Sequence, residues 1–214
     1  MNPRAVTGTI HAADVAKPLV VGIGGTTRAS SSTDRALRIS LQAAEEAGAR
    51  TFLFDGAFLS RLPHYAPENP ERNDQQRQLV EMVRTADGVI VASPGYHGGV
   101  SGLVKNALDL LDDLRDDERC YLDGRAVGCI VTAAGWQACV STLAALRSIV
   151  HALRGWPTPF GATLNSTEQI FDTSGACSDG KVGLQLATVG RQVVEFAHKY
   201  RRSGGQGGIL VPRA

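Results

Sequence analysis

A run of hydroxyl side chains follows a short apolar segment near the start of the chain. Residues 24–33 read GGTTRASSST, with six Ser or Thr hydroxyls and Arg28 just before a predicted helix. Backbone N–H groups and the dipole at a helix N-terminus favour an anion, and an arginine fork adds charge-assisted hydrogen bonds. The spacing fits neither the dinucleotide fingerprint nor the Walker loop. It indicates a site for a phosphate monoester; the alternative is that Ser31, Ser32 and Thr33 only cap the helix.

Two later loops are rich in glycine and other small residues. Residues 93–102 read SPGYHGGVSG and residues 132–137 read TAAGWQ, each directly after an apolar segment. If these segments are parallel strands, all three loops lie at the carboxyl edge of one sheet, where such folds bind ligands. Glycines there let backbone N–H groups approach a flat ligand closely.

The first two loops together resemble the NAD(P)H-dependent FMN reductase family of flavodoxin-like proteins. That family carries G-S-x-R-x-x-S-x-N/T after the first strand, and residues 25–33 read GTTRASSST, with Thr26 where serine is common. It also carries S-P-x-Y-x-G…L-K-N-x-L-D after the third strand. This second motif matches at Ser93, Pro94, Tyr96, Gly98, Lys105, Asn106, Leu108 and Asp109. The resemblance covers about residues 19–200.

The resemblance implies that FMN binds across the three loops, with its phosphate on the first and its isoalloxazine ring between the other two. The implied contact residues are Thr26, Arg28, Ser31, Ser32, Thr33, Pro94, Gly95, Tyr96, His97, Gly98, Ala134, Gly135 and Trp136. His97 stands where the family often has a small polar residue such as asparagine. It is expected to contact the ring or a substrate, or only to fill the loop. Trp136 is expected to stack on the ring or to pack in the ordinary way.

The resemblance also implies a flavin-dependent oxidoreductase. NADPH or NADH would pass a hydride to flavin N5, and the reduced flavin would serve free FMN, a quinone or another small acceptor. The cofactor carries the chemistry, so neither a catalytic side chain nor a metal site is expected. Two alternatives stay open: an FMN-dependent dehydrogenase of a cyclic small molecule, such as a 2-amino-4-deoxychorismate-type acid, and a non-catalytic electron carrier. The family implies a homodimer or homotetramer.

Five apolar segments alternate with five helical patterns, which predicts an α/β fold with a parallel sheet. The predicted strands cover residues 19–25, 51–55, 88–92, 126–132 and 159–164, and the helices about 36–47, 71–85, 100–114, 137–153 and 180–202. The resemblance implies a flavodoxin-like, doubly wound sheet of five strands in the order 2-1-3-4-5, with helices on both faces. We expect an N-terminal arm over residues 1–18, an FMN-binding domain over 19–202 and a flexible C-terminal tail over 203–214.

Composition excludes several classes of protein. The 214 residues include 22 Lys or Arg and 21 Asp or Glu, a balance that argues against nucleic acid and against the acidic surface of an electron carrier. No apolar run reaches the length of a membrane span, and the N-terminus lacks the apolar core of a signal peptide. The four cysteines form no CxxC pair, and Cys129 and Cys139 fit small buried residues. These features predict a cytoplasmic protein.

Overall fold

Seven strands form one sheet in residues 17–202, the part of the chain that the computed structural model describes. The strands are β1 (Leu19–Gly24), β2 (Arg50–Phe54), β3 (Gly88–Tyr96), β4 (Gly99–Val100), β5 (Ala126–Ala133), β6 (Trp156–Pro157) and β7 (Ala162–Asn165). The α-helices are α1 (Ser32–Glu46), α2 (Gly56–Leu59), α3 (Asp74–Thr85), α4 (Gly102–Asp109), α5 (Trp136–Ala152) and α6 (Gly180–Arg202). A 3₁₀-helix (Leu110–Leu114) continues α4.

The sheet runs β2-β1-β3-β5-β6 with parallel pairing, β7 also pairs with β5, and β4 is antiparallel to β3. The predicted parallel sheet is confirmed. The predicted number of strands, five in the order 2-1-3-4-5, is wrong, because the described sheet has seven. The predicted fifth strand is two short strands, because β6 pairs at Ala126 and β7 only from Ile130 onward. Pro157 and Pro159 lie at this edge, and proline has no N–H for a ladder. The remaining extra strand, β4, arises because β3 turns back in a hairpin.

Helices cover both faces of the sheet, as predicted. On one face, side chains such as Val21 and Val89 pack with α3, α4 and α5; on the other, Val20 and Ile90 pack with α1 and α6. The central strand β5 is buried along its whole length. A strand covered on both faces has no solvent side, which explains its continuous apolar sequence. This double layer fixes the strand ends from which the three loops emerge.

Local side-chain caps decide where the helices begin. The predicted polar helix starts at Asp74 rather than residue 71, because Asn73 and Gln76 form a capping box: the Gln76 N–H donates to Asn73 Oδ1 at 2.8 Å, and the Asn73 N–H to Gln76 Oε1 at 3.0 Å. Ser101 is likewise the N-cap residue of α4, and its hydroxyl accepts a hydrogen bond from the Val104 N–H. Helix α1 ends at Glu46 and is followed by Gly48 with φ of +95°, in the left-handed region that commonly follows a helix end.

Within residues 17–202, no helix is both long enough and apolar enough to cross a membrane. Cys129 and Cys139 are buried, as predicted, and burial raises the pKa of the Cys129 thiol to about 12. Except for residues 17 and 18, the predicted N-terminal arm lies outside the described residues, and so does the predicted tail over 203–214.

Candidate functional site

The loops after β1, β3 and β5 meet at the carboxyl edge of the sheet around a cleft of about 420 Å³, a size typical of small-molecule sites. Nine predicted contact residues line it: Thr26, Arg28, Ser31, Ser32, Thr33, Pro94, Gly95, Tyr96 and Ala134. Sequence reasoning missed Thr27, Thr132, Ala133 and Ser166, which also line it. Thr27 lies within the hydroxyl-rich run of residues 24–33, and that run could have indicated it as a contact residue. Ser166 directly follows β7, the last part of the predicted fifth strand, and the loop after that strand was not among the three expected to bind the ligand.

The first loop leads into the N-terminus of α1. Ser31 is the N-cap residue, and its hydroxyl accepts the Asp34 N–H at 3.2 Å. The capping alternative is therefore right for Ser31, but a hydroxyl that accepts one hydrogen bond still has a proton to donate. Thr33 is buried, and its Oγ1 lies 2.5 Å from Thr132 Oγ1, which ties this loop to the end of β5. The first N–H groups of a helix lack intrahelical acceptors, so this end of α1 can donate to an anion.

Close backbone packing sets the path of the first loop. The Thr26 hydroxyl bonds to both backbone groups of Arg28, the N–H and the carbonyl, each at 3.2 Å. A Cβ on Gly56, the first residue of α2, would lie 1.9 Å from the Thr26 carbonyl oxygen. One on Gly25 would lie 2.9 Å from the Gly56 nitrogen. Only glycine allows this approach, which places the exposed Arg28 at the wall of the cleft.

The second loop is a tight hairpin. Tyr96 pairs with Gly99, so His97 and Gly98 alone join β3 to β4, with φ of +53° and +80°. Two successive positive φ angles in a two-residue hairpin are typical of a type I′ turn. Asparagine and histidine are both enriched in the left-handed region, which explains why His97 can stand where asparagine is common. His97 and Gly98 lie outside the cleft lining, so their contact with the ring stays a prediction.

Asn165, at the end of β7, organises the third loop. Its Oδ1 accepts the Gly135 N–H at 3.0 Å and the Thr167 hydroxyl at 2.8 Å. These bonds join the third loop to the segment that carries Ser166. Gly135 and Trp136 lie outside the cleft lining, and the Trp136 side chain is 51% exposed at the start of α5. The stacking of Trp136 on the ring stays a prediction.

The cleft suits a ligand with an anionic end and a flat end. Arg28, hydroxyls and the start of α1 lie on one side, and the other side is formed by Pro94, Gly95 and Ala134. FMN has both ends, a phosphate monoester and an isoalloxazine ring. The residues present therefore fit FMN.

Residues 18–169 match the model of the NADPH-dependent FMN reductase family. The chain belongs to this family. An FMN-dependent NADPH-azoreductase from Staphylococcus aureus is 29% identical over 136 residues, 62% of this chain and 68% of that protein. An NADPH azoreductase from a Bacillus species is 40% identical over 60 residues. That match covers 28% of this chain and only 33% of that relative. The solved structure of an NADH:FMN oxidoreductase (EMOB) superposes with a TM-score of 0.66 at 20% identity over 92% of this chain and 98% of that one.

The structural likeness shows a flavodoxin-like fold, which confirms the predicted fold class apart from the strand count. As a member of the FMN reductase family, the chain is a flavin-dependent oxidoreductase whose cofactor is FMN and whose reductant is NADPH or NADH. The predicted family, enzyme class and cofactor are thereby confirmed.

Proposed function

We propose that this FMN reductase takes a hydride from NADPH or NADH and passes the electrons to free FMN, a quinone or another small acceptor. One observation supports the proposal above the others. The hydroxyl-rich, arginine-bearing start of α1 and the small residues that end β3 and β5 open into a single cleft. When bound, FMN supplies the hydride-accepting atom, N5.

The chain's own residues bind FMN and orient it in the cleft. In the proposal, Arg28, Ser31 and the first N–H groups of α1 hold the phosphate, and each hydrogen bond to a charged group contributes about 1.5–3 kcal/mol. Gly95 admits the ring against the backbone, while Pro94 excludes water from one side of it. Tyr96 is 58% exposed and borders the open side, where nicotinamide and acceptor would enter in turn.

Flavin titration and anaerobic reduction test this function. The purified chain is expected to bind FMN with a 1:1 end point, and NADPH or NADH is expected to bleach the flavin absorbance. Addition of free FMN or a quinone should restore that absorbance. A chain that binds no FMN after reconstitution contradicts the proposal. Flavin that is reduced by a cyclic organic acid and not by nicotinamide identifies a dehydrogenase instead. Rapid one-electron exchange with a protein partner and negligible NADPH oxidation identifies a carrier.

A further inference from the structure

Within residues 17–202, a buried hydroxyl on α5 has no hydrogen-bond partner. Thr142 is fully buried, and its Oγ1 forms no hydrogen bond with any other atom of residues 17–202. An unpaired buried hydroxyl costs free energy, whereas a valine of the same shape carries no such cost. Unsatisfied groups of this kind are rare in folded proteins and call for a physical reason.

The position of this hydroxyl supplies a reason. Thr142 Oγ1 lies 2.7 Å from the point that a Cβ on Gly95 would occupy, and the Ala133 Cβ lies 3.1 Å from the same point. Gly95 and Ala133 line the cleft from the ends of two different strands, β3 and β5. The unpaired hydroxyl therefore lies directly behind the wall that is proposed to carry the flavin ring. Gly95 adds no side chain of its own between this wall and α5, where the Thr142 side chain and the Ala133 methyl group already lie close together.

We propose that Thr142 is a positioning residue for FMN. When the ring presses on the wall of the cleft, the peptide groups on either side of Gly95 settle against α5, and one of them pairs with the Thr142 hydroxyl. A hydroxyl both donates and accepts, so either an N–H or a carbonyl satisfies it. This inference rests on the proposed function and adds to it a residue that does not touch the ligand. It predicts opposite effects of one substitution on stability and on affinity.

Two substitutions separate the hydroxyl from the shape of the side chain. Without FMN, Thr142→Val is expected to raise the urea midpoint of unfolding, because it removes an unpaired polar atom. The same variant is expected to weaken FMN binding about tenfold, the equivalent of one hydrogen bond of about 1.4 kcal/mol. Thr142→Ser keeps the hydroxyl and is expected to retain the native Kd for FMN. Fluorescence quenching of FMN gives the Kd values, and the visible flavin spectrum shows whether the ring environment changes.

Thr188 on α6 offers a matched control. Its hydroxyl donates to the Leu184 carbonyl at 2.8 Å, so it is already paired, and it lies outside the cleft lining. Thr188→Val is expected to leave the Kd for FMN unchanged and the urea midpoint unchanged or lower. This control shows that the same chemical change on another helix has neither effect.

Three outcomes would overturn the inference. A lower urea midpoint in Thr142→Val would show that the hydroxyl is already satisfied. An unchanged Kd in that variant, with the native protein binding FMN normally, would show that the hydroxyl takes no part in binding. A loss in Thr142→Ser as large as that in Thr142→Val would show that keeping the hydroxyl does not preserve FMN binding, so that the hydroxyl is not what positions the flavin. Failure of the native protein to bind FMN is a separate result, and it overturns the proposed function as well.

Discussion

The contact between Gly56 and the first loop gives a sharp test of how this loop is held. In Gly56→Ala, the added methyl group would lie 1.9 Å from the carbonyl oxygen of Thr26 and 2.5 Å from its carbonyl carbon. Both neighbours are backbone atoms, so no rotamer change relieves the clash. The loop must move by about 1.5 Å to restore an ordinary van der Waals contact.

The size of the effect follows from that displacement. Overpacking of this kind costs about 1–3 kcal/mol of the free energy of unfolding. The same movement carries Arg28 away from its place at the cleft wall. If Arg28 holds the phosphate, the loss of one hydrogen bond to a charged group, about 1.5–3 kcal/mol, weakens FMN binding about 10- to 100-fold.

Urea unfolding and fluorescence titration with FMN measure the two effects separately. Gly102→Ala is the matched control, because an added Cβ there meets no atom within 4 Å at the exposed start of α4. That control should keep the native Kd and stability, or gain slightly in stability. Native stability and native Kd in Gly56→Ala would refute the packing argument. Lower stability with a native Kd would show that the phosphate does not bind to this loop.

Three further predictions concern single side chains. Arg28→Ala should weaken FMN binding about 10- to 100-fold but change the Kd for riboflavin, which lacks the phosphate, less than about twofold; equal losses in fluorescence titrations would contradict a phosphate role. Asn165→Ala should lower the free energy of unfolding in urea by about 1–3 kcal/mol, since the Thr167 hydroxyl loses this acceptor and the Gly135 N–H keeps only the Ala133 carbonyl at 3.1 Å; Asn165→Asp should lose less. The hydrogen bond to Asp112 raises the pKa of Tyr65 from 10.0 to about 12. The stability that this hydrogen bond contributes is therefore full below pH 10 and is lost as the pH rises toward 12. Tyr65→Phe should flatten the dependence of stability on pH in that range, and an unchanged slope would contradict this assignment.

The sequence was most informative about the site where a single physical requirement, such as binding an anion, selects a particular type of residue. The hydroxyl run before α1 predicted an anion site because helix N–H groups and Ser/Thr donors act at the same place. Nine of the thirteen predicted contact residues line one cleft. The strand count was wrong because the predicted fifth strand is divided into β6 and β7 around Pro159 and because β3 turns back into β4. A pattern of apolar residues does not show where pairing stops. The hydrogen bond between Thr33 and Thr132 could not be predicted either, since the two hydroxyls are 99 positions apart in the chain.

The motif that carried the family resemblance is only partly a ligand-binding motif. Asn106 lies in its second half, yet its side chain accepts the Tyr65 N–H at 2.8 Å and donates to the Pro63 carbonyl at 3.0 Å. It anchors the loop that leads from α2 to α3. Matching such a motif therefore identifies the scaffold and the FMN loops together, and it carries no information on the acceptor. Under the proposed function, the acceptor is selected at the open side of the cleft, where Tyr96 is exposed. Substitutions there should change the ratio of the steady-state rates with free FMN and with a quinone more than they change the Kd for FMN.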